Sequence, residues 1–305
     1  MRIFTHIIYI ILVALFSFTS LYGSEENTSS QTNSSDVFFA SDIGLSLDNY
    51  RSLPEGSWPD NMGSYFFMNF KAMFPHSFLF QLGGSYGLYN WSGRSSALFK
   101  ESNMLEQQGF ITAALSRETC SEAGINFGIA YDWMLSKSLG VFAVNPYLSQ
   151  VRAQLGYLID GHHELGAWAS VNKNTSHKIS ENIPLTFRTV SQANLFWTYH
   201  FENTGFATIW AGTPYRRGLM YSSGRAGTYI AGARVQAPLA CGLNLFAHGV
   251  YMGSRKSLGG NPSKNYASNV CFGIMYSFGK EKARGSSYIS NANNSNFILD
   301  TSSNF

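Results

Sequence analysis

Charge is scarce in this chain, and several function classes fall with it. Only 13% of its 305 residues are Asp, Glu, Lys or Arg, and the formal net charge is +3. So small an excess leaves no electrostatic footprint for nucleic acid. Cysteine is nearly absent: three residues cannot all pair, and no Cys-x-x-Cys suggests a metal or redox centre. Long helical patterns are few, which disfavours a helix bundle. The apolar stretch Ile7 to Phe16 is too short to cross a bilayer as a helix. With Arg2 ahead of it and the small Gly23 behind it, residues 1–23 are expected to form a secretory signal peptide. No cysteine follows, so no lipoprotein anchor is indicated. Residues 24–36, rich in Ser, Thr, Asn and Glu, are expected to be a flexible periplasmic segment, too short to hold a passenger domain.

What the chain has instead is aromatic residues, 15% of the total, and a period of two. In Tyr266 to Phe278, Val270, Phe272, Ile274, Tyr276 and Phe278 alternate with Asn269, Cys271, Gly273 and Ser277. Successive strand side chains point to opposite faces, so one face is apolar and the other small and mostly polar. The same alternation recurs about every twenty residues from Val37 onward, in roughly twelve stretches. The closing Tyr-x-Phe resembles the last strand of Gram-negative outer-membrane barrels. The expected fold is therefore all-β: a transmembrane antiparallel up-and-down β-barrel of about twelve strands, spanning residues 37–278, in the bacterial outer membrane. The resemblance implies that Ile274, Tyr276 and Phe278 act as the insertion signal met by the outer-membrane assembly machinery. Residues 279–305 begin basic and turn to Ser and Asn; they are expected to be a disordered periplasmic tail.

Two features support the barrel without entering the choice of faces. Long connectors (49–64, 89–107, 136–146, 172–186, 213–226, 253–265) alternate with short ones, as outer loops alternate with periplasmic turns. And all six mid-strand charges, Asp42, Lys71, Asp132, Arg152, Glu164 and Arg234, fall inward once the apolar residues face out. A Lys or Arg facing mid-bilayer lipid would cost roughly 2–4 kcal/mol. Hairpin register puts Asp42 near Lys71 and Asp132 near Arg152, which allows cross-strand ion pairs. Arg234 is expected to have no such partner, and Glu164 to sit unpaired at the periplasmic mouth.

The expected function is a passive, porin-like channel for small polar solutes, with weak anion preference from Arg234 and from Arg188 near the outer mouth. The pore-lining residues are expected to be Lys71, Asp132, Arg152, Trp168, Arg188 and Arg234. The alternative is a structural or surface-interaction protein with a plugged lumen and functional extracellular loops.

Other constellations are weaker. His162 and His163 beside Glu164 suggest a metal, but they fall in a tight turn, where side chains diverge from the three or four convergent positions a site needs. No His-x-Ser-Asn motif of a membrane phospholipase is present, and no enzyme is expected. Gly212 to Arg225 is glycine-rich and basic, yet it lacks Gly-Lys-Ser/Thr and no helix follows. Arg216, Arg217 and Arg225 suit a loop meeting lipopolysaccharide phosphates. Trp91, Trp133, Trp197, Tyr157, Tyr199 and Tyr276 read as an interfacial girdle; Trp168 alone points inward. Cys120 and Cys241 fall in turns too far apart to bridge each other. Either thiol could instead link the protein to an envelope partner. No cofactor and no metal is expected. The expected partners are the lipid bilayer, lipopolysaccharide, the assembly machinery and a small permeant solute.

Overall fold

The computed structural model describes residues 37–55, 61–91, 105–119, 122–202, 204–219, 224–253, 266–279 and 289–302. The expected signal peptide, the segment 24–36 and Cys120 lie outside these residues. In chain order the described strands are β1 (Phe38–Arg51), β2 (Asn61–Phe74), β3 (Phe78–Tyr89), β4 (Glu106–Arg117), β5 (Gly124–Lys137), β6 (Tyr147–Leu158), β7 (His163–Asn172), β8 (Ser176–Ser180), β9 (Ile183–Thr189), β10 (Gln192–His200), β11 (Phe206–Pro214), β12 (Ile230–Ala240), β13 (Leu243–Met252), β14 (Ala267–Gly279) and β15 (Leu299–Thr301). Twelve of them, β1–β7 and β10–β14, form a closed antiparallel up-and-down barrel. It closes between β1 and β14, in register from Ala40↔Gly279 to Arg51↔Ser268.

One end of the barrel carries the short turns and the other the long connectors; they are called the turn end and the loop end below. The β6–β7 turn shows how the short ones are made. The Asp160 carboxylate accepts the backbone N–H groups of His162 and His163 at 3.0 and 2.8 Å, and Gly161 takes φ 78°. Those two donors hold the Asp160 carboxyl below its ordinary range. The His163 ring stacks on Trp197, whose Nε1 donates to His163 Nδ1 at 3.2 Å.

The outward face is apolar. Leu45, Leu155, Leu195 and Val270 are each more than half exposed, whereas Asp42, Lys71, Asp132, Arg152 and Glu164 are at most 5% exposed. A surface of that kind is stable against lipid rather than water. No described helix is long and apolar enough to cross a membrane; strands are what span here.

The inward face also holds large rings, and four of them lie over a glycine on the neighbouring strand. Phe67 covers Gly44, Phe196 covers Gly166, Trp210 covers Gly232 and Phe246 covers Gly273; every pair is directly cross-strand. A Cβ at any of these glycines would overlap the ring. Glycine thus supplies the space in which an aromatic side chain lies flat along the wall. This accounts for β13, where Phe246 breaks the polar inward pattern expected from alternation alone.

Candidate functional site

The expectation of a disordered periplasmic tail is corrected for residues 289–302; residues 280–288 and 303–305 lie outside the described residues. The segment 289–302 runs inside the barrel. Ser and Asn dominate this segment because the wall it meets is polar. The Asn291 side chain accepts from Gln81 Nε2 at 2.8 Å, and the Ala292 N–H donates to Thr112 Oγ1 at 2.8 Å. Asn294 Nδ2 donates to Asp48 Oδ2 at 3.1 Å, and Ser295 Oγ donates to Asn269 Oδ1 at 2.5 Å. Gln150 Nε2 and Arg152 Nη2 donate to the carbonyls of Asn296 (3.1 Å) and Ser290 (2.6 Å). The donors and acceptors come from strands on opposite sides of the barrel, so the segment occupies the lumen rather than lining one wall.

Toward the loop end the tail turns apolar and extended. Phe297 and Leu299 enter a cluster with Phe110, Met134, Leu139 and Phe187, while Ile298 faces a second cluster with Val190, Ile230 and Met252. Side chains on alternate sides serve the two clusters. The chain then pairs as β15 with β9, from Leu299↔Thr189 to Thr301↔Phe187, and completes a three-stranded sheet with β8. The β8–β9 hairpin lies where the sequence suggests only a long loop. Its turn residues Glu181 and Asn182 both take positive φ, 47° and 65°, the twist a two-residue hairpin turn requires.

The expected pore-lining residues occupy this lumen, but most of their charges are taken. Lys71 Nζ lies 2.9 Å from Asp42. Arg152 grips Asp132 with two bonds of 2.5 and 2.9 Å. Arg188 is not a free charge at the mouth: it pairs with Asp300 of the tail at 3.1 Å. The same carboxylate accepts the Leu219 N–H at 2.9 Å. Burial pushes the Asp300 carboxyl up, against the pull of these two partners. Glu164 is not a screened, unpaired group either. It is buried and receives Asn126 Nδ2 and His200 Nε2, both at 3.2 Å. Arg234, expected to lack a partner, places its guanidinium 4.7 Å from the centre of the Phe206 ring. Trp168 faces inward, edge-on to Trp210 at 6.5 Å.

Ile274, Tyr276 and Phe278 point outward, with the last two rings 4.6 Å apart. Cys241 is free and exposed in the β12–β13 turn; Cys271 is buried, 3.4 Å from the Tyr65 hydroxyl. Among the described residues no group of three His, Cys, Asp or Glu side chains could hold a metal.

A family model described as a family of unknown function, DUF6666, matches residues 39–299. The chain belongs to that family. The DUF6666 match runs past β14 to the first residue of β15, so its extent takes in the lumenal segment as well as the barrel. No curated protein matches the chain. Several solved barrels are similar in shape. The outer membrane phospholipase dimer of Salmonella typhi, with bound calcium, is 10% identical; the match covers 77% of this chain and 90% of that one, with a TM-score of 0.43. The translocator domain of the autotransporter NalP from Neisseria meningitidis is 14% identical over 89% of this chain and 96% of its own, TM-score 0.38. The anion-selective porin of Comamonas acidovorans is 7% identical over 80% and 100%, TM-score 0.31. Likenesses at this level carry no argument about what a DUF6666 barrel does. The fold is a barrel of the outer-membrane type.

Proposed function

We propose that this protein is an outer-membrane barrel whose lumen is closed by its own C-terminal segment and whose work is done at its loop face. One observation carries the reading: residues 289–302 bond to opposite walls of the lumen and end as a strand of the loop-end sheet. A passive channel for small polar solutes needs that space clear. Of the two arginines expected to give an anion preference, Arg188 is engaged by Asp300 and Arg234 lies over the Phe206 ring; Lys71 and Arg152 are each engaged by a carboxylate. The loop face, by contrast, is built: connectors, hairpin and tail share two apolar clusters there. A structural or surface-interaction role therefore fits better than conduction.

In this reading the apolar exterior meets lipid, the positive loop with Arg216 and Arg217 meets lipopolysaccharide phosphate, and the last strand presents Ile274, Tyr276 and Phe278 to the assembly machinery. Planar-bilayer recordings test the closed lumen. The whole protein is expected to be silent, and a chain ending at Tyr288 to conduct. Sustained conductance by the whole protein would restore the channel reading.

A further inference from the structure

The loop-end sheet has one edge taken and one edge open. The tail joins it as β15 on the far side of β9, while β8 pairs with β9 alone among the described residues. The turn at Glu181-Asn182 decides which groups face the open edge. Ser180↔Ile183 closes that turn, and in a two-residue hairpin the closing pair exchanges both backbone hydrogen bonds. Bonded and non-bonded pairs alternate from there. Lys178 and Ser176 therefore bond to β9 as well, and His177 and Ile179 turn their N–H and C=O groups to the open edge. Pro184, which has no N–H to give, stands opposite Ile179, where the ladder needs none. The side chains of His177 and Ile179 share the exposed face. His177 Nδ1 lies 3.2 Å from Thr186 Oγ1 across the hairpin, and Ile179 is 77% exposed in a strand outside the barrel. Lys178 takes the other face, beside its buried cross-strand partner Leu185.

An edge of this kind takes an added strand, with main-chain bonds for affinity and alternate side chains for selection. Lys178 does the selecting. A second copy pairing antiparallel through His177 and Ile179 would set Lys178 directly opposite Lys178, and like charges so placed repel. Lysine on a short edge strand thus keeps identical edges apart. An acidic side chain at the same place is attracted. We propose that β8 is the docking edge for an extended acidic segment of another protein. The segment adds a fourth strand to the loop-end sheet, with its Asp or Glu opposite Lys178 and β-branched residues opposite His177 and Ile179. The proposal rests on the loop face being the working surface and names the partner it takes. Planar-bilayer recordings test the closed lumen and peptide binding tests this edge, so either can fail alone.

Fluorescence anisotropy on the whole refolded protein tests it, with a labelled peptide Thr-Val-Glu-Val-Thr as probe and Thr-Val-Lys-Val-Thr as its charge-reversed counterpart. The acidic peptide should bind saturably and the basic one several-fold more weakly. Lys178→Glu should reverse that order. Ile179→Pro removes an N–H that faces the open edge and leaves the β8–β9 ladder whole, so it should abolish binding of the acidic peptide. Absence of saturable binding by the acidic peptide would overturn the proposal, as would an order unchanged in Lys178→Glu. Undiminished binding by Ile179→Pro would do the same; should that variant not fold, the Lys178→Glu result decides alone. A dimer of the refolded protein that is lost in Ile179→Pro would overturn it in favour of a second copy.

Discussion

Arg188 and Asp300, 112 residues apart, form a 3.1 Å ion pair that ties the β8–β9 hairpin to the end of the chain. Asp300 is buried and its carboxyl is raised, so the docked tail favours the protonated acid more than the free tail does. That contribution is complete below the ordinary carboxylate range and fades as pH rises through the docked value. At neutral pH the charge is therefore a cost set against its bonds. Asp300→Asn, which keeps an acceptor for the Leu219 N–H, should dock about as well at neutral pH and lose the pH dependence. Asp300→Lys should expel the tail. Limited proteolysis of the segment 289–302 across pH distinguishes the two.

The Arg152–Asp132 pair sets up a second prediction. Asp132 is fully buried, and Thr112, Gln150 and Arg152 all donate to it. Arg152→Met leaves that carboxylate without its cation and should cost about 3–5 kcal/mol. Adding Asp132→Asn should recover most of the loss. Urea unfolding of the refolded barrel measures both.

The rings on glycines predict a position-specific effect. Gly232→Ala and Gly273→Ala force Trp210 and Phe246 off the wall and should destabilise by about 1–3 kcal/mol. Gly84→Ala is the control: its Cβ would meet only the Phe110 carbonyl, at 3.6 Å, and stability should hold.

Much of this architecture is legible in the sequence, and the exceptions have physical causes. Period-two alternation locates all twelve barrel strands, and facing its apolar residues outward already puts Asp42, Lys71, Asp132, Arg152 and Glu164 inside, as the cost of charge in lipid requires. Register alone brings Asp42 to Lys71 and Asp132 to Arg152. Phe246 misleads because it is accommodated on the inward face by its cross-strand partner Gly273, and that pairing is invisible in one strand. The β8–β9 hairpin escapes notice because its strands are short and Pro184 argues against a strand. The tail escapes for a deeper reason. A segment that fills a polar lumen must itself be polar, so Asn291 to Asn296 has the composition of disorder. Its one apolar signal, Phe297-Ile298-Leu299, is three residues long. With the tail unread, nothing in the sequence brings Asp300 to Arg188.

Topology follows from the same frame. Epitopes inserted after Ser302 or after Trp91 belong to the loop end, and an epitope at Gly161 to the turn end. On intact cells the first two should be accessible and the third protected. Labelling at Gly161 alone would mean the barrel is inverted.

The central claim is that the segment 289–302 is held in the chain's own barrel, and a covalent bond tests it most directly. A Cβ at Gly83 would overlap the Asn291 side chain, so cysteines at these two positions lie within bridging reach. Gly83→Cys with Asn291→Cys, in a background where Cys120, Cys241 and Cys271 are serine, should oxidise to an intramolecular disulfide. After cleavage between barrel and tail at Arg284, the fragments should stay together until reductant separates them. Fragments that part without reductant, with both thiols still titratable, would contradict a tail held in the lumen.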